Sequence, residues 1–147
     1  MCIRDRFNIL FSQDTFSIIA VDTLSREVGS AGASCIAGSI IISDVHPGLG
    51  AIHTQSYWNP SNQNNASQLF QQGFSPQYII DWLISNDVQN NSSIRQYGIV
   101  DLIDGGRSAA FTGNNCFDIT LVIGYNLVPL PPANTIPFIY VFTPNLF

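Results

Sequence analysis

Residues 15–34 read TFSIIAVDTLSREVGSAGAS, and this stretch decides the fold. Residues 15–21 alternate polar and apolar side chains before becoming fully apolar, which predicts a strand. Residues 22–25 are typical of a turn, and residues 27–34 predict a second strand built of small side chains. The two strands predict a hairpin whose second strand is flat enough for another layer to pack very close to it.

Strand-like segments recur further along the chain. Residues 36–42 are apolar, and the sequence His46-Pro47-Gly48 ends that run. Residues 50–55 predict a short strand. Residues 96–102 and 108–111 frame Asp104-Gly105-Gly106, which predicts a second hairpin.

Two helices are expected between these hairpins. Residues 64–72 predict a helix that ends at Gly73, a residue type favoured just after a helix. Ser75 and Pro76 are typical of an N-cap followed by the first helical residue. They precede four aliphatic residues at helical spacing, Ile79, Ile80, Leu83 and Ile84. The element order β-β-(β)-α-α-β-β predicts a single α+β domain of packed layers.

Composition narrows the class of protein. The chain has 147 residues, of which 46% are hydrophobic and only 10% charged, which indicates a globular composition and not a disordered one. Ten acidic residues oppose five arginines and no lysine, giving a net charge of -5. The lack of a basic run argues against nucleic acid as a partner, and no apolar stretch reaches the ~18 residues that a membrane span needs. The oligomeric state is left open, with a homo-oligomer as one alternative.

The first 14 residues differ from the rest of the chain. Arg4 and Arg6 precede an apolar run at residues 7–11, as in a clipped secretory signal peptide. Residues 1–6 also resemble adaptor read-through at the start of a metagenomic gene. The interpretation is a leader remnant over residues 1–14 and export to the periplasm or the medium. The alternative is an ordinary N-terminal segment.

Two cysteines remain once Cys2 is set aside with the leader. In an exported protein, Cys35 and Cys116 are candidates for one disulfide, which would contribute ~4 kcal/mol by the chain-entropy model. The alternative is two separate buried thiols. His46 and His53 lack acidic companions at ligand spacing, so no metal site is expected.

The end of the chain departs from this pattern. Residues 119–147 contain Leu130-Pro131-Pro132 and an aromatic run at 138–147. Two interpretations of this atypical tail stand side by side: a Pro-rich surface tail, or the product of a frameshift.

An ordered set of motifs resembles a known family. The set consists of Thr15-Phe16-Ser17-Ile18, Gly32-Ala33-Ser34, Gly50, Thr54-Gln55, Asn59-Pro60, Gly73, Asp87, Arg95-Gln96-Tyr97-Gly98-Ile99-Val100-Asp101, Phe111-Thr112-Gly113 and Cys116. Together these residues are similar to the domain of unknown function 1028 family, which is classed among the Ntn-hydrolase-like folds. The resemblance runs from Thr15 to about Asp118, whereas the family's later Gly-His and Gln-Gly-Asn segments are not recognisable here.

The resemblance implies a four-layer αββα sandwich and N-terminal nucleophile chemistry. In that chemistry the hydroxyl of an N-terminal Thr attacks an amide carbonyl, and its own α-amine takes the proton. The candidate nucleophile is Thr15. The expected function is exported hydrolysis of an amide or peptide without a cofactor, with cell-wall material as one candidate substrate. The alternative is a non-catalytic ligand-binding or accessory domain on the same scaffold.

Small hydroxyl and amide side chains at strand ends are the candidate ligand-binding residues. They are suited to hydrogen-bond an uncharged amide and are expected to converge with Thr15. The set is Ser34, Thr54, Gln55, Asn59, Thr112 and Gly113. Gln55 and Asn59 are candidate oxyanion donors.

Arg95 is expected to have a structural role. It precedes an apolar strand, and Asp81 and Asp87 lie within reach along the sequence. The expectation is an ion pair between Arg95 and one of these carboxylates that holds the helix end against the sheet.

Overall fold

The computed structural model describes residues 15–34 and 37–116, together with the backbone of the strand at residues 136–142. Its strands are β1 (Phe16–Asp22), β2 (Glu27–Ser34), β3 (Ser43–His46), β4 (Gly50–Gln55), β5 (Gln96–Asp101), β6 (Arg107–Thr112) and β7 (Ile136–Phe142). Its helices are α1 (Pro60–Gln71) and α2 (Pro76–Ser85), with 3₁₀ turns at Ser39–Ile42, Ser92–Ile94 and Ile103–Gly105.

The first sheet has the strand order β1-β2-β7 and is antiparallel throughout. The predicted hairpin is confirmed, with Phe16 opposite Ala33 and Asp22 opposite Glu27. Asp22 closes the turn because its Oδ1 accepts hydrogen bonds from the amides of Leu24 (2.8 Å) and Ser25 (3.2 Å). β1 lies at the edge of this sheet.

β7 lies inside the segment that the sequence marked as an atypical tail. Its backbone pairs with β2, with Ser34 opposite Ile136 and Val28 opposite Phe142. Part of the tail is therefore paired with the hairpin, while residues 117–135 and 143–147, like the expected leader at 1–14, lie outside the described residues.

The second sheet has the order β3-β4-β5-β6, also antiparallel. β3 was not predicted, because its sequence Ser-Asp-Val-His lacks apolar alternation. The apolar run before it contains a 3₁₀ turn at Ser39–Ile42 instead.

Gly50 begins β4 at φ 150°, and a Cβ there would lie 2.1 Å from the carbonyl oxygen of Val100, so no larger residue fits.

Both predicted helices are confirmed, but α1 begins four residues earlier than expected. Asn59 caps it by accepting hydrogen bonds from the amides of Ser61 (2.9 Å) and Asn62 (3.2 Å), and Pro60 is its first residue. The cap and proline form a helix start signal that the prediction of a helix from residue 64 does not use. Gly73 follows the helix at φ 85°, in the left-handed conformation that a C′ glycine provides.

The layers are held by two apolar clusters. Both helices pack on one face of the second sheet, where Ile52, Tyr97 and Ile99 meet the buried side chains Ala66, Phe70, Ile79, Ile80 and Leu83. The other face of this sheet packs on the first sheet through Val28, Ala51 and Leu102, with Ile19, Val21, Val45 and Val100 around them.

The described residues therefore form three layers: sheet, sheet and helices. An α+β sandwich is confirmed. The second helical layer of the αββα arrangement is not among the elements described, and the outward side chains of β1, Phe16 and Ile18, are 55% and 68% exposed.

Candidate functional site

Thr15 and Ser34 meet at one end of the sandwich. The hairpin register places the residue before β1 opposite the last residue of β2, and the Thr15 Oγ1 and Ser34 Oγ atoms are 2.8 Å apart. Ser34 is fully buried, whereas Thr15 is half-buried. Two of the predicted site residues are thus brought together on the sheet-facing side of the hairpin.

Ser17 connects this end of the hairpin to the second sheet. It lies two residues, about 6.6 Å, after Thr15 on the same side of the strand. Its hydroxyl donates to Oε1 of Gln55 (2.9 Å) and is 2.8 Å from Nδ1 of His53. Thr15 and Gln55 therefore lie on the facing sides of the two sheets, at the same end.

His53 is buried between the two sheets, with 3% of its surface exposed. Its Nε2 atom is 2.6 Å from Ser30 Oγ, which is 2.7 Å from Ser43 Oγ. Burial disfavours the charged imidazolium and lowers the pKa of His53 to about 4. The ring is therefore neutral near pH 7.

An amide strip runs across the second sheet from Gln55. Gln55 Nε2 donates to Gln96 Oε1 (2.6 Å), and Gln96 Nε2 donates to Thr112 Oγ1 (3.1 Å). Gln55 and Gln96 are half-buried and Thr112 is exposed. Each amide makes two hydrogen bonds here and retains the capacity for more. The predicted residues Gln55 and Thr112 are thus linked, through a residue that the sequence interpretation had not selected.

Thr54 does not join this group. It is opposite Tyr97 in the register and lies on the helix-facing side of β4, because neighbouring strand residues point to opposite faces. Its hydroxyl is buried without a hydrogen-bond partner. The expected convergence of Thr54 with Gln55 is wrong for this reason.

Asn59 and Gly113 have structural roles in the fold. The side-chain oxygen of Asn59 caps α1, so this amide does not converge with Thr15. Gly113 packs against the chain at Ser93, where a Cβ would lie 2.1 Å from the carbonyl oxygen. Its amide donates to the Arg95 carbonyl (2.8 Å), as in a close turn rather than an anion-binding nest.

The expected ion pair of Arg95 is confirmed, with Asp87 as the partner. Arg95 Nε is 2.9 Å from Asp87 Oδ2, and the side chains are 2% and 1% exposed. Burial alone raises the pKa of Asp87. Hydrogen bonds from Arg95, Asn62 and the amides of Asn91 and Gln89 outweigh that effect and hold the pKa at about 2.

Arg95 also fixes the loop that follows Gln55. Its guanidinium donates to the Tyr57 carbonyl and to the Gln89 side chain. Ser56 and Tyr57 both have left-handed backbone conformations, with φ of 59° and 51°. Two such residues in succession are uncommon outside glycine, and the sequence carries no glycine signal for this turn. The loop is therefore held by a residue that lies 38 positions away.

The structure does not support the expected disulfide. Cys116 carries a free, half-buried thiol whose Sγ donates to the Arg95 carbonyl (2.7 Å). Cys35 lies outside the described residues. In residues 15–34 and 37–116, no three His, Cys, Asp or Glu side chains cluster as a metal site would require.

Neither α1 nor α2 is long and apolar enough to cross a membrane, and no other helix of the described segments is.

The fold and site define a class: an α+β double-sheet protein with paired hydroxyls and an amide strip at one end. The profile of a family of unknown function, DUF1028, matches residues 15–128. The chain belongs to this family, as its motifs predicted. The match extends ten residues beyond the predicted domain end.

A solved structure is similar to this chain. It is protein SPO2555 from Silicibacter pomeroyi, described as a DUF1028 protein, with 25% identity and a TM-score of 0.61. The similarity covers 71% of this chain and 48% of SPO2555, so the chain spans about half the length of that protein. No curated protein matches the sequence.

Proposed function

We propose that this chain is an exported hydrolase of amide or peptide bonds that uses Thr15 as an N-terminal nucleophile. The observation that carries the proposal is the 2.8 Å contact between the Thr15 and Ser34 hydroxyls, at the end of the sandwich where Ser17 meets Gln55. A second hydroxyl at this distance orients the Thr15 Oγ1 atom, because it can accept or donate the shared hydrogen bond.

The reaction requires only the residues of this end and water. Thr15 Oγ1 attacks the amide carbonyl carbon, and its proton passes to the Thr15 α-amine, whose ordinary pKa is near 8. The tetrahedral intermediate then breaks its C–N bond, the leaving amine takes that proton, and an ester to Thr15 remains. Water attacks the ester, gives one proton to the α-amine, and releases the acid as Oγ1 is reprotonated.

The proposal requires a free amine at Thr15. Asp14 precedes Thr15 in the sequence, so one peptide bond must be hydrolysed before the enzyme is active. Export with removal of residues 1–14, by trimming or by self-cleavage at Thr15, would supply that amine. The ladder of β1 begins at Phe16, so this cut lies just outside the sheet.

The substrate is proposed to be neutral at the reacting group. The side chains that line this end are hydroxyls and amides, namely Thr15, Ser17, Ser34, Gln55, Gln96 and Thr112. Such groups recognise a peptide or carboxamide by hydrogen bonds rather than by charge. Amides and peptides of the cell wall belong to this substrate class and are the proposed candidates.

Two measurements test the proposal. N-terminal sequencing of the protein recovered from the periplasm or medium should find Thr15 first. A β-lactone probe, which is opened by a nucleophilic hydroxyl to form an ester, should then label Thr15 in peptide maps. Thr15→Ala should abolish labelling and Thr15→Ser should retain part of it, whereas Thr23→Ala, in the exposed β1–β2 turn, should label as wild type does.

A binding or accessory domain is the second candidate, and the amide strip favours it. Gln55, Gln96 and Thr112 are positioned across three strands without any requirement for a free amine. A mature protein that starts at Gln13, with no trimmed form and no Thr15 ester, would support this function and exclude the hydrolase.

A further inference from the structure

Seven side chains are joined by an unbroken series of hydrogen bonds. The series begins between the two sheets and continues across the second sheet. In order, they are Ser43, Ser30, His53, Ser17, Gln55, Gln96 and Thr112. They come from β1 and β2 on one side and from β3, β4, β5 and β6 on the other. We call this set the seven-residue chain. It links six of the seven described strands.

In the seven-residue chain, the direction of each hydrogen bond determines the direction of the next one. Ser17 has a single hydroxyl proton, which it donates to Gln55 Oε1. Towards His53 the Ser17 oxygen must therefore accept, so His53 Nδ1 carries a proton. In a neutral ring Nε2 is then an acceptor, so Ser30 donates to it and accepts from Ser43.

We propose that His53 is a positioning residue for the Thr15 site and that it acts as the Nδ1–H tautomer. By donating to Ser17, His53 directs the Ser17 proton to Gln55 Oε1, which turns the Gln55 amide nitrogen towards Gln96. The orientation of an amide at the same end of the sandwich as the proposed nucleophile is thus set by a ring buried between the sheets. The functional part of this inference rests on the proposed hydrolase, whereas the tautomer does not.

The inference excludes the alternative in which every hydrogen bond of the seven-residue chain runs in the opposite direction. Reversal would require Gln55 and Gln96 both to exchange their oxygen and nitrogen positions, and His53 to carry its proton on Nε2. It would then present Gln55 with its nitrogen towards Ser17. Because every member would change together, measuring the proton on one ring nitrogen determines the direction of the whole chain.

The tautomer is measured directly by ¹⁵N NMR of the histidine side chains near pH 7. His46→Gln assigns the two rings, since only His46 and His53 occur in the sequence. We expect the His53 proton on Nδ1, a signature opposite to that of free histidine, in which Nε2–H predominates. A proton on Nε2 would overturn the inference. Ser17→Ala should shift the Nδ1 resonance and leave the ring buried.

Two substitutions of similar size separate positioning from packing. The amide nitrogen of His53→Asn occupies a position close to Nδ1 and can still donate to Ser17, whereas His53→Gln reaches towards the Nε2 side and Ser30. We expect His53→Asn to retain most of the β-lactone labelling rate of Thr15 and His53→Gln to lose roughly tenfold or more. Equal rates in the two variants, at equal thermal stability, would contradict a positioning role.

The outcomes distinguish this inference from the hydrolase proposal. If wild-type Thr15 is not labelled, the hydrolase proposal fails and the functional part of the inference fails with it, while the tautomer is still decided by NMR. If Thr15 is labelled and His53 carries its proton on Nε2, the hydrolase stands and the positioning role of His53 falls.

Discussion

Two buried polar groups lie on opposite faces of the second sheet, and they differ in charge. On the helix-facing side, the members of the Arg95–Asp87 ion pair are 2% and 1% exposed, and Asn62 donates both to Asp87 and to the Tyr97 hydroxyl. On the sheet-facing side, His53 is neutral and contacts serine hydroxyls. This difference shows that one sheet can bury both a charged pair and a neutral ring. The charged pair is stabilised by the opposite charge and by hydrogen bonds, and the neutral ring is stabilised by hydroxyl groups.

The stability of the protein should depend more on the Arg95–Asp87 pair than on the neutral group, because removing one charge leaves the other buried. Arg95→Ala would leave Asp87 buried without its cation, so we expect a loss of roughly 3–5 kcal/mol in the free energy of unfolding. Urea denaturation at pH 7 measures this change. Arg107→Ala is the comparison variant: Arg107 pairs with Asp101 at 2.6 Å, and the Arg107 side chain is 30% exposed while that of Asp101 is 3% exposed. It should cost less than Arg95→Ala, roughly 1–2 kcal/mol, because water reaches this guanidinium and the amides of Ile103 and Arg107 still donate to Asp101. Equal losses in both variants would contradict a special role for burial.

Protonation of His53 should cause the first loss of stability as the pH is lowered. The pKa of His53 is about 4 in the fold and 6.5 unfolded, so the unfolded chain binds the proton more readily. Stability is fully present above pH 6.5 and falls by about 3 kcal/mol as the pH decreases to 4. Denaturation at several pH values measures the slope. In His53→Asn the slope over this interval should largely disappear.

Asp87 should set a second step at lower pH. Its pKa is about 2 in the fold and 3.8 unfolded, so its contribution is present above 3.8 and is lost as the pH falls through 2. The expected loss is about 2 kcal/mol. Asp87→Asn should remove this step while retaining the first one. A single transition unaffected by either substitution would show that other groups control acid stability.

The smallest expected effect concerns a hydroxyl that belongs to neither group. Thr54 Oγ1 is buried without a partner, so Thr54→Val should be neutral or stabilising by about 1 kcal/mol. Ser30→Ala, which removes a partner of His53, should instead destabilise by roughly 1–2 kcal/mol. If Thr54→Val is clearly destabilising, its hydroxyl has a partner that the fold does not reveal.

Sequence patterns were sufficient where local chemistry decides structure. The bounds of β2 and the start of α2 at Ser75-Pro76 followed from small-residue composition and capping rules. The Arg95–Asp87 pair followed from charge and spacing. β3 could not be predicted, since its pairing with β4 and not its own composition makes it a strand.

The site was predictable only in part. Thr15, Ser34, Gln55 and Thr112 lie at the end of the sandwich where the sequence predicts convergence, but Thr54, which is predicted to join them, lies on the helix-facing side of β4. Alternation along β4 separates neighbours Thr54 and Gln55, and a strict period-2 interpretation would have shown this. The role of Gln96 and the burial of His53 depend on how the two sheets stack, which no local pattern encodes.

The position at which the β1 ladder begins has a consequence for the precursor form of the protein. Its first paired residue is Phe16, so removing residues 1–14 breaks no hydrogen bond of that ladder. A precursor and its trimmed product would therefore share the described pairs of that hairpin. Such a chain could mature long after folding, much as a zymogen does, with its activation controlled by access to one peptide bond and not by refolding.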